Sequence, residues 1–473
     1  MEKVTYDIII IGAGSGGLNV ASFFSQLKLK VLLIDKGDEH IGGDCLNTGC
    51  IPSKALIHVA NQISESRNAN RFLLAGNYVE VDIKKVTEYI LSKQNRIRES
   101  ENPEYLKNKG IDYISGEVKF IDENTIALNG VLYTAKNFVL ATGSRARKLS
   151  IENDKSLPEY TNETIFSINF LPKKFVFIGG GPINCELGQA FSRLGSQVTI
   201  LNSGKRILEK ELEEVSIILQ KTFTDEKIVV TNNTSIVKIV DKKVWYTVAG
   251  SEELLSIEAD AVFVGIGRDL NIDNLDLEKG GIQIHESRTR LIVDDYLRTT
   301  NPHVYVVGDV AGNYQFTHAA EMHAKVVIKN LVSPFKEKFN AKHIAWVTYT
   351  SPEVATFGIS KKDAEDKGYT ILEKSFDHED RAIVDENEKG KLILYVDKNS
   401  YIHGGTMVVN NAGEISQELI LAMSSKVKLS SLFNKVYPYP TASRINKQIV
   451  GDYMRSKLTL NVKGFLQFLY KII

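Results

Sequence analysis

One order of elements occurs twice along the sequence, and this duplication limits the fold more than any other feature. The apolar run DIIIIGAG at 7–14 leads into an apolar helical stretch, a second strand-like run, a polar region and the run FVLATGS at 138–144. The same order begins again with FVFIGGG at 175–181 and closes with AVFVGIG at 261–267. Strands that alternate with helices, each helix opened by a glycine turn, are typical of parallel-sheet βαβ units. The sequence therefore predicts two Rossmann-like, dinucleotide-binding units.

The C-terminal part of the chain has a different pattern. The runs KLILYVD and YIHGGTMVV flank a turn at 398–400, and helical periodicity comes after them at 414–423. Two alternating runs around a short turn indicate an antiparallel hairpin. We therefore expect an α/β protein with two Rossmann-like domains and a third, C-terminal α+β domain.

The composition excludes several classes of protein. Of the 473 residues, 43% are hydrophobic, which is enough for several buried cores. The 58 basic residues balance the 58 acidic residues, whereas nucleic-acid-binding proteins usually carry a basic excess. Three cysteines are too few for a secreted disulfide framework, and neither a signal peptide nor an apolar run of about 18 residues is evident. We expect a cytoplasmic protein without a nucleic-acid partner.

The first glycine turn has the full dinucleotide-binding pattern. Gly12, Gly14 and Gly17 come after a strand and open a helix. Without side chains, the backbone can approach a pyrophosphate, and the helix N-terminus supplies N–H groups and a positive dipole. Asp35 ends the next strand about 20 residues on, at the spacing of an acid that bonds a ribose hydroxyl. An ordinary glycine-rich turn is the simpler alternative.

The second glycine turn, at 179–184, departs from that pattern. Asn184 stands where a third glycine would let helix and strand pack closely. The next strand ends at Asn202, which offers no carboxylate to a ribose 2′-hydroxyl, and Lys205 and Arg206 come shortly after it. Two basic residues could bind a 2′-phosphate, although basic residues in a loop are more often a solvated surface. The pattern favours NADPH slightly over NADH.

The segment GGDCLNTGCIPSK at 42–54 is the most specific signal in the chain. On an ideal helix, residues five apart lie about 8–9 Å apart at Cα, whereas a disulfide requires no more than about 7 Å. A disulfide between Cys45 and Cys50 therefore requires a bend before the helix predicted at 53–63. Cys50 would then lie near a helix N-terminus beside Lys54, and both features favour the thiolate. The alternatives are that the two cysteines form half of a zinc site or are buried structural residues. No further Cys or His residue stands nearby in the sequence at the spacing of a zinc site.

Over residues 4–455 the chain resembles the class I pyridine nucleotide-disulfide oxidoreductases, which include dihydrolipoamide dehydrogenase, glutathione reductase and mercuric reductase. The resemblance rests on the cysteine segment, both glycine turns, ATG at 141–143 and TNPHVYVVGD at 300–309. It implies a homodimer. The domains that it implies are the first part of an FAD-binding domain at 1–150, an NAD(P)-binding domain at 151–280, the return segment of the FAD domain at 281–345 and a dimerisation domain at 346–455.

The resemblance also implies roles for individual residues. FAD would be bound by Gly12, Gly14, Gly17, Asp35, Lys54, Thr142, Gly143, Gly308, Asp309 and Thr317. NADPH or NADH would be bound by Gly179, Gly181, Glu186, Asn202, Lys205, Arg206 and Gly267. The catalytic residues would be Cys45, Cys50, Lys54, Glu186 and Tyr439.

In the family, the lysine that comes after the cysteines pairs with the glutamate that Glu186 matches here. The simpler interpretation of Glu186 is an acid favoured by the dipole in the first turn of a helix. Electrons would pass from NAD(P)H through FAD to a Cys45–Cys50 disulfide, with Cys50 facing the flavin and Cys45 facing the acceptor.

The C-terminal motif departs from the disulfide-reducing members of the family. Where they carry a proton-shuttling histidine and an orienting glutamate, this chain has Tyr439 and Arg444. An unperturbed tyrosine titrates at about pH 10, so Tyr439 is a poor base at neutral pH. A tyrosine here is similar to mercuric reductase, but the C-terminal cysteine pair of that enzyme is absent. The remaining thiol, Cys185, is more simply a small core residue than a ligand.

These departures leave the acceptor open. The prediction is a small disulfide, on a molecule or a small protein, or a soft metal ion, with no resident metal site. The alternatives are a dihydrolipoyl dehydrogenase with an altered acid–base site and a slow or non-enzymatic flavin redox sensor that could associate with a membrane.

The tail at 456–473 is apolar and contains Lys457, Lys463 and Lys471. Such a segment is able to lie on a membrane surface, but a terminal amphipathic stretch more often packs on its own domain. We expect the tail to pack on the C-terminal domain.

Overall fold

A computed structural model describes residues 3–72, 80–286 and 290–473 of the chain. These residues form two compact units, Met1–Lys205 with Lys227–Phe339 and Arg206–Glu226 with Asn340–Ile473. The two compact units do not coincide with the domains predicted from the sequence, so the predicted domain boundaries stay predictions.

The strands of the first unit are β1 (Lys3–Ile11), β2 (Val31–Asp35), β3 (Ile111–Ser115), β4 (Val118–Asp122), β5 (Thr125–Leu128), β6 (Val131–Leu140), β7 (Ser144–Ala146), β8 (Glu152–Asn153), β9 (Glu159–Tyr160), β10 (Lys174–Ile178), β11 (Gln197–Leu201), β12 (Val229–Thr231), β13 (Thr234–Val240), β14 (Lys243–Val248), β15 (Leu255–Glu258), β16 (Ala261–Val264), β17 (Arg268–Leu270) and β18 (Val304–Val306). Its α-helices are α1 (Ser15–Gln26), α2 (Gly43–Asn47), α3 (Cys50–Ala69), α4 (Ile83–Arg98), α5 (Pro103–Asn108), α6 (Pro182–Leu194) and α8 (Thr317–Val332).

The second unit contains the strands β19 (Ala345–Thr348), β20 (Glu353–Gly358), β21 (Thr370–Ser375), β22 (Lys391–Val396) and β23 (Ile402–Val409). Its α-helices are α7 (Glu213–Asp225), α9 (Lys361–Asp366), α10 (Asp380–Val384), α11 (Ala412–Ile415), α12 (Gln417–Ser424), α13 (Leu429–Asn434), α14 (Arg444–Ser456) and α15 (Leu460–Ile472).

The predicted duplication is present in two sheets of the first unit. In one sheet β1 pairs in parallel with β2 on one side and with β6 on the other, and β18 adds in parallel to β6. In the other sheet β10 pairs in parallel with β11 and with β16. The central strands are covered on both faces, which explains why their sequences are unbroken apolar runs. Ile9 and Phe177, one in each central strand, are fully buried.

Because ligands bind at the carboxyl ends of parallel strands, this topology places both glycine turns at ligand-binding edges. Each turn comes directly after the central strand of its sheet, and each opens a helix, α1 or α6.

The second unit is built on an antiparallel sheet with the strand order β19-β20-β23-β22-β21. β22 and β23 form the predicted hairpin, with Leu394 opposite Gly405. The segment 206–226 belongs to this unit although it comes after β11 of the first unit. The buried carboxylate of Glu211 accepts hydrogen bonds from Trp346 Nε1 at 2.6 Å and from Thr356 Oγ1 at 2.7 Å, which attaches the segment to the sheet.

Three details of the predicted helices are corrected. The helix expected at 53–63 begins at Cys50 and continues to Ala69. The periodicity at 414–423 is divided between α11 and α12, which meet at Ser416. The expectation that the tail packs on the C-terminal domain is wrong, because α15 has no buried residue. Within the described ranges, no helix is both long and apolar enough to cross a membrane.

Candidate functional site

The cysteine segment bends as a short-range disulfide requires. Cys45 lies in α2, and Cys50 is the first residue of α3, so the chain turns between them at 48–49. A Cβ on Gly49 would lie 2.8 Å from the backbone oxygen of Asp44, so only glycine allows this close approach. The two thiols are separate but near enough to form a hydrogen bond.

The surroundings of the two sulfurs distinguish them electrostatically. The hydrogen bond from Cys45, the hydroxyl of Thr317 and the charge of Lys54 together lower the pKa of Cys50 to about 6, although burial opposes this. Thr317 Oγ1 lies 3.3 Å from Cys50 Sγ. The same sulfur–sulfur hydrogen bond and burial raise the pKa of Cys45. In the reduced pair, Cys50 is therefore the thiolate and Cys45 retains the proton.

Lys54 and Glu186, predicted as a pair, are in contact. Lys54 Nζ donates to Glu186 Oε2 at 2.8 Å, which joins α3 to α6. The Glu186 side chain is buried, and a buried carboxylate requires a partner of this kind. The lysine is thereby held one helical turn beyond Cys50, where its charge favours the thiolate.

The first glycine turn packs directly against the cysteine segment. Gly12 has a φ of +112°, and a Cβ there would lie 2.2 Å from the backbone oxygen of Ala141. A Cβ on Gly17 would lie 1.9 Å from the backbone oxygen of Gly12. Gly14 forms a parallel bridge with Gly42, at the start of the cysteine segment. The first glycine turn and the cysteine segment are thus fixed relative to one another by backbone packing.

Asp35 closes this turn from the neighbouring strand. One carboxylate oxygen accepts from the Ala13 N–H at 2.6 Å and the other accepts from the Lys36 N–H at 2.7 Å. A carboxylate oxygen can accept more than one hydrogen bond, so a ribose hydroxyl still fits beside it.

The edge formed by the ends of β6 and β18 fits the rest of FAD. Thr142 Oγ1 is buried without a hydrogen-bond partner in the described part of the chain, which suits a ligand that supplies one. Around Gly143 a Cβ would meet no atom within 4 Å, and Gly308 has a φ of +82°. Burial raises the pKa of Asp309, whereas a hydrogen bond from Ser144 lowers it. The unpartnered hydroxyl and the open backbone at this edge fit a group such as FAD.

Two residues at this edge, Ser144 and Arg268, were not found from the sequence. Arg268 donates to Ser144 Oγ at 2.6 Å and to the backbone oxygen of Ser144 at 2.8 Å, and it also contacts Asp44. Its guanidinium lies 3.7 Å from the Asp309 carboxylate. The only signal for it in the sequence was its place directly after Gly267, which has a φ of +114°.

The second glycine turn is closed by an amide. Asn184 is fully buried, and its Nδ2 donates to the backbone oxygen of Gly265 at 2.6 Å. Gly179 resembles Gly12, with a φ of +113° and a Cβ position 2.4 Å from that same oxygen. Gly181, which precedes α6, has open space where a Cβ would lie. The turn is therefore intact without its third glycine.

The residues expected to select the nicotinamide have unequal surroundings. Asn202 is buried, and its amide bonds Gly204 and Asn232. Arg206 donates to the backbone oxygens of Glu209 at 3.1 Å and Glu211 at 2.8 Å, so its guanidinium is engaged in its own loop. Lys205 is exposed. Of the two basic residues, Lys205 is the more exposed.

Tyr439 lies in the second compact unit and is 67% exposed. The guanidinium of Arg444 lies 5.2 Å from the centre of its ring. The arginine that replaces the family's glutamate thus contacts the tyrosine that replaces the histidine. Among the described residues, no group of three or more His, Cys, Asp or Glu side chains is arranged to hold a metal ion.

Comparison with known proteins identifies the family. Residues 6–324 match the family model described as pyridine nucleotide-disulphide oxidoreductase, and residues 344–449 match the dimerisation domain of the same family. The chain is a pyridine nucleotide-disulphide oxidoreductase. Members of this family are FAD-dependent enzymes that use NAD(P)H, and the dimerisation domain supports a homodimer.

Curated relatives of this oxidoreductase have different names. Mercuric reductase from Bacillus cereus is 30% identical over 446 residues, which cover 92% of this chain and 69% of the relative. Dihydrolipoyl dehydrogenase from Mycoplasma genitalium is 29% identical over 464 residues, which cover 95% of this chain and 99% of the relative.

A solved structure supports the fold of this oxidoreductase. The HOCl-induced flavoprotein disulfide reductase RclA from Escherichia coli superposes with a TM-score of 0.83 at 23% identity, covering 94% of this chain and 99% of that structure.

Proposed function

We propose that the protein is an NADPH-dependent FAD enzyme that reduces a small disulfide or a soft metal ion through Cys45 and Cys50. The observation that carries this proposal is the interaction of the Cys45 thiol in α2 with Cys50, the first residue of α3, whose Sγ lies 3.3 Å from Thr317 Oγ1. Cysteine pairs with one lowered pKa in such surroundings are reactive, whereas buried structural cysteines are inert.

FAD, when bound, would relay the electron pair of the nicotinamide to the disulfide. We assign its binding to the first glycine turn and to the edge that contains Asp309. Reduction of the disulfide consumes two electrons and one proton, so the sulfur–sulfur bond breaks. The pKa values described above leave that proton on Cys45 and the negative charge on Cys50.

With a disulfide acceptor, the chemistry is thiol–disulfide exchange. Transfer of the proton from Cys45 to the Cys50 thiolate gives a Cys45 thiolate, which attacks one sulfur of the acceptor. The acceptor bond breaks, and the departing thiolate takes up the proton from Cys50. The Cys50 thiolate then attacks the Cys45 sulfur of the mixed disulfide. The Cys45–Cys50 bond forms again, and the second acceptor sulfur leaves as a thiolate. A soft metal ion would instead bind both sulfurs, since thiolates are soft ligands.

Lys54 and Glu186 act in this scheme through position and charge. The ammonium of Lys54 favours the Cys50 thiolate, and Glu186 holds the ammonium in place at 2.8 Å. Tyr439 replaces the histidine of the disulfide-reducing members, and we assign no proton transfer to it.

The preference for NADPH rests on the loop after β11. Asn202 presents no carboxylate that would repel a 2′-phosphate, and the exposed Lys205 offers a positive charge. With Arg206 engaged by backbone oxygens, the proposal depends on Lys205. We expect Lys205→Ala to raise KM for NADPH and to leave KM for NADH unchanged.

Anaerobic titration and parallel rate assays test the proposal. NADPH should bleach the flavin within seconds, and NADPH oxidation should depend on an added disulfide or on Hg(II). In Cys45→Ser and in Cys50→Ser, the rate with the acceptor should fall by about a hundredfold or more, because the covalent route is lost. Cys185→Ala is the control, since Cys185 is buried and distant in sequence from the pair. Full activity in either serine variant would exclude the proposed electron path.

A second candidate function is dihydrolipoyl dehydrogenase with an altered acid–base site. The relative of that name matches over 99% of its own length. Rapid turnover of lipoamide that is unaffected by Tyr439→Phe would favour this function, and turnover of lipoamide much slower than that of the best disulfide or metal acceptor would exclude it.

A further inference from the structure

The C-terminal helix α15 exposes large apolar side chains that nothing in the described part of its own chain covers. Phe465 and Phe468 are each 60% exposed, and Leu466 is 48% exposed. The helix as a whole has no buried residue. It is nevertheless a defined element that begins with a capping bond, in which the Val462 N–H donates to Thr459 Oγ1 at 3.4 Å. An isolated helix of this length is marginal in water, so a covering surface is expected to stabilise it.

The side chains of α15 are segregated into two faces. With 3.6 residues per turn, one face carries the apolar set at spacings of three and four, which we call the tail face: Val462, Phe465, Leu466, Leu469 and Ile472. The opposite face carries Lys463, Gln467 and Lys471, which are spaced by four, together with Leu460 at the first position of the helix. Aromatic and aliphatic residues on one face with lysines on the other are the pattern of a helix that lies in a membrane interface.

The charge around α15 has one sign. From residue 456 to residue 473 the chain contains Lys457, Lys463 and Lys471 but no aspartate or glutamate, whereas Arg455 just before this segment pairs with Asp452. This asymmetry is local, because the whole chain balances 58 basic residues with 58 acidic ones. A negatively charged surface is therefore the complement of this segment.

We propose that α15 binds the surface of a lipid bilayer that contains anionic lipids, with the tail face among the acyl chains and the lysines at the headgroups. The helix does not span the bilayer, since none of the described helices is long and apolar enough to do so. A second copy of α15 is a poorer occupant. Helices that pair in water usually flank their apolar seam with charges of both signs, and this segment offers only positive ones. The enzyme would thereby be a peripheral membrane protein, whatever its electron acceptor.

Vesicle sedimentation with the purified holoenzyme tests this proposal. Vesicles of phosphatidylglycerol and phosphatidylcholine should bind at least about tenfold more protein than vesicles of phosphatidylcholine alone, and added salt should weaken the binding. The double variant Phe465→Ser with Leu469→Ser should lose the binding by about tenfold or more because the apolar contact is removed. Gln467→Ser, on the opposite face, is the matched control and should bind like the wild type.

Two further measurements keep the result interpretable. The NADPH oxidation rate of the double variant should equal that of the wild type, which shows that the enzyme is folded. Light scattering should give the same oligomeric state for both proteins. Absence of binding to anionic vesicles, or equal binding to neutral ones, overturns the proposal. A change of oligomeric state in the double variant also overturns it, because the tail face would then be covered by a second copy.

Discussion

The two dinucleotide-type halves of the first unit use the same strand–turn–helix arrangement but differ in how the turn is closed and in the segment that comes after the second strand. The first turn is closed by glycine packing and by the Asp35 carboxylate, and β2 leads into the cysteine segment. The second turn is closed by the amide of Asn184, and β11 leads into the loop that contains Asn202. By our proposals, a common backbone arrangement thus supports redox chemistry in one half and selection of the nicotinamide in the other.

The residue at the third glycine position of the motif shows the difference most clearly. At Gly17 there is no room for a side chain, whereas at Asn184 the side chain is part of the structure. The glycine pattern is therefore one solution to close packing of strand and helix, and an asparagine that bonds the neighbouring strand is another.

The largest expected effect is that of adding a methyl group at the third glycine of the first turn. In Gly17→Ala the Cβ would lie 1.9 Å from the backbone oxygen of Gly12, so we expect a loss of about 3 kcal/mol of stability and loss of FAD during purification. Gly181→Ala is the matched control, because no atom lies within 4 Å of its Cβ position. Thermal unfolding and flavin absorbance measure both effects. Equal stability of the two variants would contradict the difference between the turns.

The loop after β11 is expected to set the nicotinamide preference. Asn202→Asp places a carboxylate at the end of the strand, where it would repel a 2′-phosphate and accept from a 2′-hydroxyl. We expect the ratio of kcat/KM for NADH to that for NADPH to rise about tenfold. Asn129→Asp adds the same charge in the first half and should leave the ratio unchanged. If Asn202→Asp left the ratio of kcat/KM for NADH to that for NADPH unchanged, this loop would not select the cofactor.

The cysteine segment after β2 is expected to titrate near neutrality. In the reduced holoenzyme, the long-wavelength absorbance that a thiolate gives beside the flavin should be present above a pH of about 6 and lost below it, as Cys50 takes up a proton. Thr317→Val removes a donor to the thiolate, so the midpoint should rise by about one pH unit. Thr317→Ser restores the hydroxyl and should restore the midpoint. A midpoint that does not respond to Thr317→Val would exclude this hydrogen bond.

The smallest expected effect is that of giving the second turn its third glycine. Asn184→Gly loses the hydrogen bond to the Gly265 oxygen but also removes the unpartnered Asn184 Oδ1. We expect a net loss of about 1 kcal/mol, measured by urea unfolding. Increased stability would mean that the two turns are interchangeable.

Much of this arrangement could be predicted from the sequence, because it depends on residues close together in the chain. The strand order around both turns and the bend between Cys45 and Cys50 were predicted and are present. Of the contacts between distant residues, the Lys54–Glu186 pair was predicted from the family resemblance, whereas others were not predicted. Thr317 Oγ1 reaches Cys50 across 267 positions, and Arg268 reaches Asp44 across 224. Local patterns specify turns and helices, whereas these contacts depend on where the sheet brings its strand ends together.

The tail shows a different limit. Its apolar spacing correctly indicates an amphipathic helix, but the same spacing suits a protein core, a second copy and a lipid surface alike. Only the exposure of Phe465 in the folded chain distinguishes packing on its own unit from the other two.

The Glu211 carboxylate has a consequence for engineering. Because it binds Trp346 and Thr356, the C-terminal unit is completed by a segment from the middle of the chain. A gene fragment that begins near residue 340 would lack α7 and the Glu211 carboxylate that Trp346 and Thr356 contact. Domain exchange with a relative therefore has to transfer 206–226 together with the C-terminal sequence.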